Sequence, residues 1–314
     1  MRKSRPWAGL AKRYGTLGEA AVWKQVQEHY YWDRMEAALD MAQSLGTGSN
    51  AQMVFFYRLI EAEAVTRQRS QRHEPGDWFR LEWIPSEVDI SIDELESAIR
   101  EECAKVLEIL PWEQSDETLF TLLAVESNAP WTPGRQGFFM DKFPYDKICL
   151  PSELLQNESE FRSAIRHEYA HAATLNLAEG RCPRWLNEAI AMVVSGEAFR
   201  LGPAEFVRQS HPWRSPNSLE QAYLADRESA QGRPVVWSAY YQSAMIGAWI
   251  AESFGIDAFN RLLTGMTNNS VWSDLVARFR NREAVDEAML EVTGMSTARA
   301  FESAKTWTLA NSPV

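Results

Sequence analysis

Two of the five histidines in this 314-residue chain stand four apart in His167-Glu168-Tyr169-Ala170-His171. On a helix each residue advances about 100°, so the two imidazoles lie about 40° apart on one face, with Glu168 about 60° beyond His171. A single divalent ion can bind both rings, and the carboxylate between them can reach a water held by that ion. This is the residue set and spacing of a hydrolytic zinc site.

A catalytic zinc takes three protein ligands and keeps one position open. Glu179 is unsuitable, because eight residues along the same helix carry it about 12 Å beyond His171. A metzincin-type continuation needs histidine at position 177 and glycine at 174, where Leu177 and Thr174 stand. The better candidate is Glu188, in Arg184-Trp185-Leu186-Asn187-Glu188-Ala189-Ile190-Ala191. Gly180 suits the C′ position of the first helix and Pro183 the N1 position of a second. The chain then climbs about 12 Å past His171, turns, and descends about 7 Å to Glu188. An antiparallel helix pair returns that carboxylate to the histidines. His211, in His211-Pro212-Trp213, is the alternative third ligand, although no local pattern prepares it for that role.

With these residues in view, the chain resembles the gluzincin metallopeptidases, especially the peptidase MA-like domains and, more distantly, the M1 aminopeptidases. The likeness rests on His167-Glu168-x-x-His171 followed by Trp185-Leu186-Asn187-Glu188-Ala189. It continues through Tyr240-Tyr241-Gln242-Ser243-Ala244, Phe254-Gly255 and Phe259-x-x-Leu262-Leu263. In the M1 group the interval from the second histidine to the glutamate is slightly longer than here. The resemblance implies one zinc ion held by His167, His171 and Glu188, with Glu168 as general base. It also implies a thermolysin-like α+β fold, in which a small sheet packs on the motif-bearing helix and a mostly helical half follows.

Each role has a chemical reason. Three protein ligands leave zinc able to lower the pKa of a bound water and to polarise a scissile carbonyl. Glu168 accepts the water proton and returns it to the leaving amine. A developing oxyanion needs a donor, and a tyrosine hydroxyl near the metal serves. The family's Tyr-x-Gln-Ser register selects Tyr240 over Tyr241. Neighbouring helical residues point about 100° apart, so at most one of the two faces the metal.

The elements that position these groups can be read around them. Phe161, Ala164, Ile165, Ala172 and Leu175 form one arc of the motif helix, with Arg162, Arg166 and Ala173 projecting elsewhere, as in a helix packed on one side. Phe138 to Met140 and Lys147 to Leu150 read as short strands, Trp78 to Ile84 and Glu117 to Glu126 as two more. By resemblance, one of the first two, Phe138 to Met140 or Lys147 to Leu150, is an edge strand along which an extended peptide lies, and a plain structural strand is the other reading of each. Ser91 and Glu94 form a capping-box pattern at the head of a helix reaching Leu110, stopped by Pro111. Gly202 to Asp226 has little periodicity and is expected to be a loop over the cleft. A sheet followed by a helical run reads as α+β.

Upstream, Gly18–Tyr30, Trp32–Leu45 and Ala51–Arg69 read as helices separated by Gly46-Thr47-Gly48-Ser49-Asn50. Tyr31-x-x-Arg34-x-x-Ala37-Ala38-Leu39 is similar to a tetratricopeptide helix, but fewer than two units are present where a stack needs about three. Three divisions follow: a basic tail over 1–15, a helical accessory region over 16–72, and the metallopeptidase-like domain over 78–314. The polar, Pro-Gly-bearing segment Gln71 to Asp77 marks the boundary, with His73 as a solvent-facing loop residue.

Composition limits the partners. The net charge of −11 combines +5 from the first fifteen residues with −16 from the rest, and an acidic body argues against general nucleic-acid binding. The basic start lacks the apolar run of a secretory signal, and the most apolar helix, Val235 to Phe254, contains Ser238, Gln242, Ser243 and Glu252. A soluble, cytoplasmic protein is expected. Cys103, Cys149 and Cys182 suggest neither a disulfide framework nor a Cys-based metal site. Two functions are carried forward: zinc-dependent hydrolysis of a peptide or protein substrate, and a catalytically inactive zinc fold that binds a peptide or protein partner. The helical N-terminal region reads first as an accessory region, with docking of a peptide or protein partner as the lesser option.

Overall fold

The computed structural model describes residues 17–45, 51–76, 78–87, 90–113, 117–123, 137–140, 146–209, 211–225, 229–267 and 274–312. The basic tail and the Gly46–Asn50 segment lie outside them. The architecture is α+β and divides into two compact units, one of residues 1–96 with 113–164, the other of 97–112 with 165–314. The helices upstream of residue 70 therefore share a unit with the sheet. Strand pairing runs through the segment expected to separate them.

The first unit opens with three helices, α1 (Leu17–Tyr31), α2 (Met35–Leu45) and α3 (Ala51–Arg69). A five-stranded mixed sheet follows, formed by β1 (Gln71–His73), β2 (Phe79–Trp83), β3 (Thr118–Leu123), β4 (Phe138–Met140) and β5 (Asp146–Pro151), in the order β1-β2-β3-β5-β4. The central pairs are parallel, with Leu81 opposite Phe120 and Phe120 opposite Ile148. The outer pairs are antiparallel. Every residue of β3 is buried, as expected of a parallel strand covered on both faces. His73 lies in β1, not in a loop, and its Nε2 stands 2.7 Å from Glu96 Oε2. Trp23, Val26, Tyr30, Ala38 and Ile60 form one apolar cluster, and Leu59, Leu123, Phe138 and Cys149 another.

Helix α4 (Ile92–Ile109) begins at the capping box read from sequence: Ser91 N donates to Glu94 Oε2 at 2.9 Å, and Glu94 N to Ser91 Oγ at 3.2 Å. Helix α5 (Glu158–Leu177) carries the His-Glu-x-x-His motif. The remainder of the second unit is helical among the described residues: α6 (Arg184–Val194), α7 (Glu197–Arg208), α8 (Pro216–Ala222), α9 (Gly232–Phe254), α10 (Ala258–Gly265), α11 (Asp274–Thr293) and α12 (Thr297–Ala310). Much of the stretch expected as a loop over the cleft is thus α7 and α8. Gly202, at φ 65°, kinks α7 ahead of Pro203, and Ser215 with Pro216 starts α8, so the breakers that obscured periodicity bound short helices. No described helix is long and apolar enough to cross a membrane.

The core of this unit is built on α9, buried from Gln242 to Ile250. Gly247 allows α6 to approach closely: a Cβ there would stand 2.6 Å from the Ala189 carbonyl oxygen. Trp185 packs edge-on against Phe301 of α12, with centroids 4.9 Å apart. On α5, Tyr169, Ala170, Ala172, Ala173 and Thr174 are all fully buried. Ala173 therefore corrects the expectation of a helix packed on one side only.

Candidate metal centre

The reversal between α5 and α6 places the candidate ligands. Helix α5 ends at Leu177, Glu179 and Gly180 take positive φ values of 48° and 75°, and Gly180 N donates back to Leu175 O at 2.8 Å. Glu179 thus lies beyond the end of α5 and not on the same helix as the histidines, and it is not among the clustered ligands. Pro183 is the N-cap of α6 rather than N1, a shift of one residue at a boundary. Proline offers no side-chain acceptor for the open N–H groups of α6. Glu220, on α8, supplies one: Arg184 N and Trp185 N both donate to it at 3.4 Å.

Nε2 of His167 and Nε2 of His171 each stand 3.6 Å from Oε2 of Glu188. One ligand atom from each of the three residues lies within 4.8 Å of the other two, the one such cluster of His, Cys, Asp and Glu among the described residues. A tetrahedral ion with bonds of about 2.1 Å separates its ligands by about 3.4 Å, so the measured spacing suits such an ion. The side chains of His167, His171 and Glu188 are 13%, 10% and 17% exposed, which leaves little competing water. Two imidazoles and one carboxylate are the donor set of a catalytic zinc site. Glu188 is thereby brought to the histidines, and His211 is not.

Each outer nitrogen faces a side-chain oxygen, in hydrogen-bond geometry at His171 and as a charge contact at His167. His171 Nδ1 lies 2.9 Å from Asn187 Oδ1, and His167 Nδ1 lies 3.3 Å from Glu197 Oε1. An acceptor on Nδ1–H keeps the proton there and leaves the Nε2 lone pair for a metal. Sequence reasoning identified neither partner. Asn187 sits beside Glu188 and could have been proposed from adjacency. Glu197 follows the left-handed Gly196, at φ 83°, and carries no local signal.

Burial acts first on His167, Glu197 and Tyr223, and neighbouring charges act against or with it. Burial works against a charged His167, but the neighbouring carboxylates of Glu197, Glu188 and Glu168 together hold its pKa well above the usual imidazole value. Burial raises Glu197, and this is outweighed by His167, Arg200 and Ser195, which leave its carboxyl below the ordinary range. Burial, then the charge of Glu188, pushes the Tyr223 hydroxyl well up. Glu168, Glu188 and Glu197 thus all bear on His167.

Glu168 is only 4% exposed, next to His167 on α5. The two tyrosines of α9 have different neighbours. Tyr241 stands with His211, Trp237 and Gln209, its ring 5.3 Å from that of His211. Tyr240 packs edge-on against Tyr223 at 5.2 Å. Tyr223 in turn hydrogen-bonds Ser243 and feels the charge of Glu188. His211 Nε2 is engaged by Gln209 Oε1 at 2.6 Å.

No protein-family model matches the chain, and no curated protein or solved structure matches it.

Proposed function

We propose that this chain is a zinc-dependent peptidase of the gluzincin type, with a thermolysin-like catalytic domain. His167, His171 and Glu188 hold one zinc ion, Glu168 is the general base, and Tyr240 is the oxyanion donor. The observation that carries the reading is Glu188 Oε2 at 3.6 Å from both Nε2 atoms, with the buried Glu168 carboxylate on the same helix. Zinc bound there would supply a Lewis acid and lower the pKa of a water to near neutrality. Glu168 takes the proton of the attacking water on its carboxylate and hands it to the leaving amine. Asn187 and Glu197 keep the two rings turned so that their Nε2 atoms face inward. Tyr240 is assigned by its register with Gln242 and Ser243. The substrate class, a peptide or protein, follows from the resemblance to these peptidases.

Metal analysis of the wild type and of Glu168→Gln, with cleavage of a mixed peptide library, tests the proposal. The expected result is one zinc per chain in both proteins, cleavage by the wild type, and a loss of about 10²–10⁴-fold in the variant. Absence of cleavage by the zinc-loaded wild type across a broad library would replace the peptidase with a zinc fold that binds a peptide or protein partner.

A further inference from the structure

Arg166 precedes the first histidine of the motif and points about 100° away from it around α5. Its guanidinium is divided between two tasks. Nη1 pairs with Glu102 of α4, whose side chain is fully buried, and Nη2 donates to the backbone carbonyl of Ser195 at 3.1 Å. Glu102 is held on its other oxygen by Lys105 at 2.7 Å.

Ser195 is the C-cap of α6, at the end where helix carbonyls take partners from outside the helix. Its backbone N–H bonds Ala191 O at 2.9 Å, and its hydroxyl accepts from Glu197 N at 3.4 Å. Gly196 then reverses the chain at φ 83°, and Glu197 begins α7 with Oε1 3.3 Å from His167 Nδ1. Glycine at the reversal restricts the backbone little, so the place of Glu197 depends on what holds the turn together with the packing of α7, where Ala198 and Phe206 are buried.

We infer that Arg166 is a positioning residue for the metal centre: anchored by Glu102, it grips the Ser195 carbonyl, fixes the α6–α7 turn, and thereby sets Glu197 on Nδ1 of His167. This rests on the reading of His167, His171 and Glu188 as zinc ligands. Arginine suits the role because its rigid fork directs separate N–H groups at a carboxylate and a carbonyl, whereas a lysine ammonium is a single point of charge.

The test is zinc affinity of the full-length chain, measured by competition with a chromophoric chelator, for wild type, Arg166→Met, Glu197→Gln and the double variant. Melting of the metal-free proteins is followed in parallel. Arg166→Met and Glu197→Gln are each expected to weaken zinc binding about 10–100-fold, the range for partners of a ligating histidine. The double variant is expected to be no weaker than the worse single one, because both changes break the same link. Arg166→Lys, which keeps a cation beside Glu102, is expected to fold and still to bind zinc at least about fivefold more weakly. It serves as the probe if Arg166→Met does not fold. A lowered melting temperature with unchanged zinc affinity, losses that multiply in the double variant, or wild-type affinity in Arg166→Lys would each overturn the inference. Failure of the wild type itself to bind zinc would overturn the metal centre first, and the role of Arg166 with it.

Discussion

Asn187 Oδ1 lies 2.9 Å from Nδ1 of His171, and the next residue along α6, Glu188, brings Oε2 to 3.6 Å from Nε2 of the same ring. One turn of α6 thus engages both nitrogens of a histidine on α5. Asn187→Ala leaves Nδ1–H without its acceptor and is expected to weaken zinc binding about 10–100-fold. Asn187→Asp retains an acceptor and is expected to stay much closer to the wild type. Chelator competition on the two variants checks the difference.

The close approach of α6 and α9 positions that turn. A Cβ on Gly247 would meet the Ala189 carbonyl oxygen at 2.6 Å and Val193 Cγ2 at 2.9 Å, and the first of these is backbone that cannot swing aside. Gly247→Ala is expected to lower stability by about 1–3 kcal/mol, the usual cost of overpacking. Zinc affinity should fall with it, because Ala189 neighbours Glu188. Urea denaturation and zinc titration of one variant measure both effects.

The two tyrosines of α9 should separate in turnover. Tyr240→Phe is expected to lower kcat about 10²–10³-fold, the cost of removing one oxyanion donor, with zinc retained. Tyr241→Phe loses only the 3.4 Å contact from Gln209 Nε2 and is expected to remain near wild-type kcat. Equal effects of the two changes on peptide cleavage would remove Tyr240 from the mechanism.

In the first unit, Lys147 and Glu63 form an ion pair with both side chains fully buried. Tyr30 also donates to Glu63 at 2.6 Å, and Arg67 reaches both Glu63 and Asp33. Lys147→Met strips a buried carboxylate of one cation and is expected to cost about 3–5 kcal/mol, read by chemical denaturation. A change below about 1 kcal/mol would mean that the charge of Arg67 and the hydrogen bond from Tyr30 suffice to hold Glu63.

Much of the local structure was legible in the residues. A spacing of four on a helix of 3.6 residues per turn puts His167 and His171 on one face whatever surrounds them. Gly180 and Pro183 announced the reversal that returns Glu188, with an error of one residue at the cap. The Ser91–Glu94 box, α3 and β4 were equally plain, because the interactions that define them lie within a few residues. His73 and the segment from Gly202 to Ala225 were misread for the converse reason. Strand pairing with Trp83 to Leu81 and the helices flanking Gly202 and Ser215 depend on partners that hydrophobic spacing does not name.

What the residues determined alone is the chemistry available: two imidazoles and a carboxylate on one helix, and a second carboxylate one reversal away. Which further groups reach them was decided by tertiary structure. Glu197 on His167, Glu220 across 35 residues on the first N–H groups of α6, and Glu102 across 64 residues on Arg166 are three carboxyls among the 43 Asp and Glu of the chain, with no local mark to separate them from the rest. For Glu197 the selection follows from where Gly196 turns the backbone after α6. Periodicity carries the direction of a side chain around its own helix, but not the identity of the neighbour that packing brings to it.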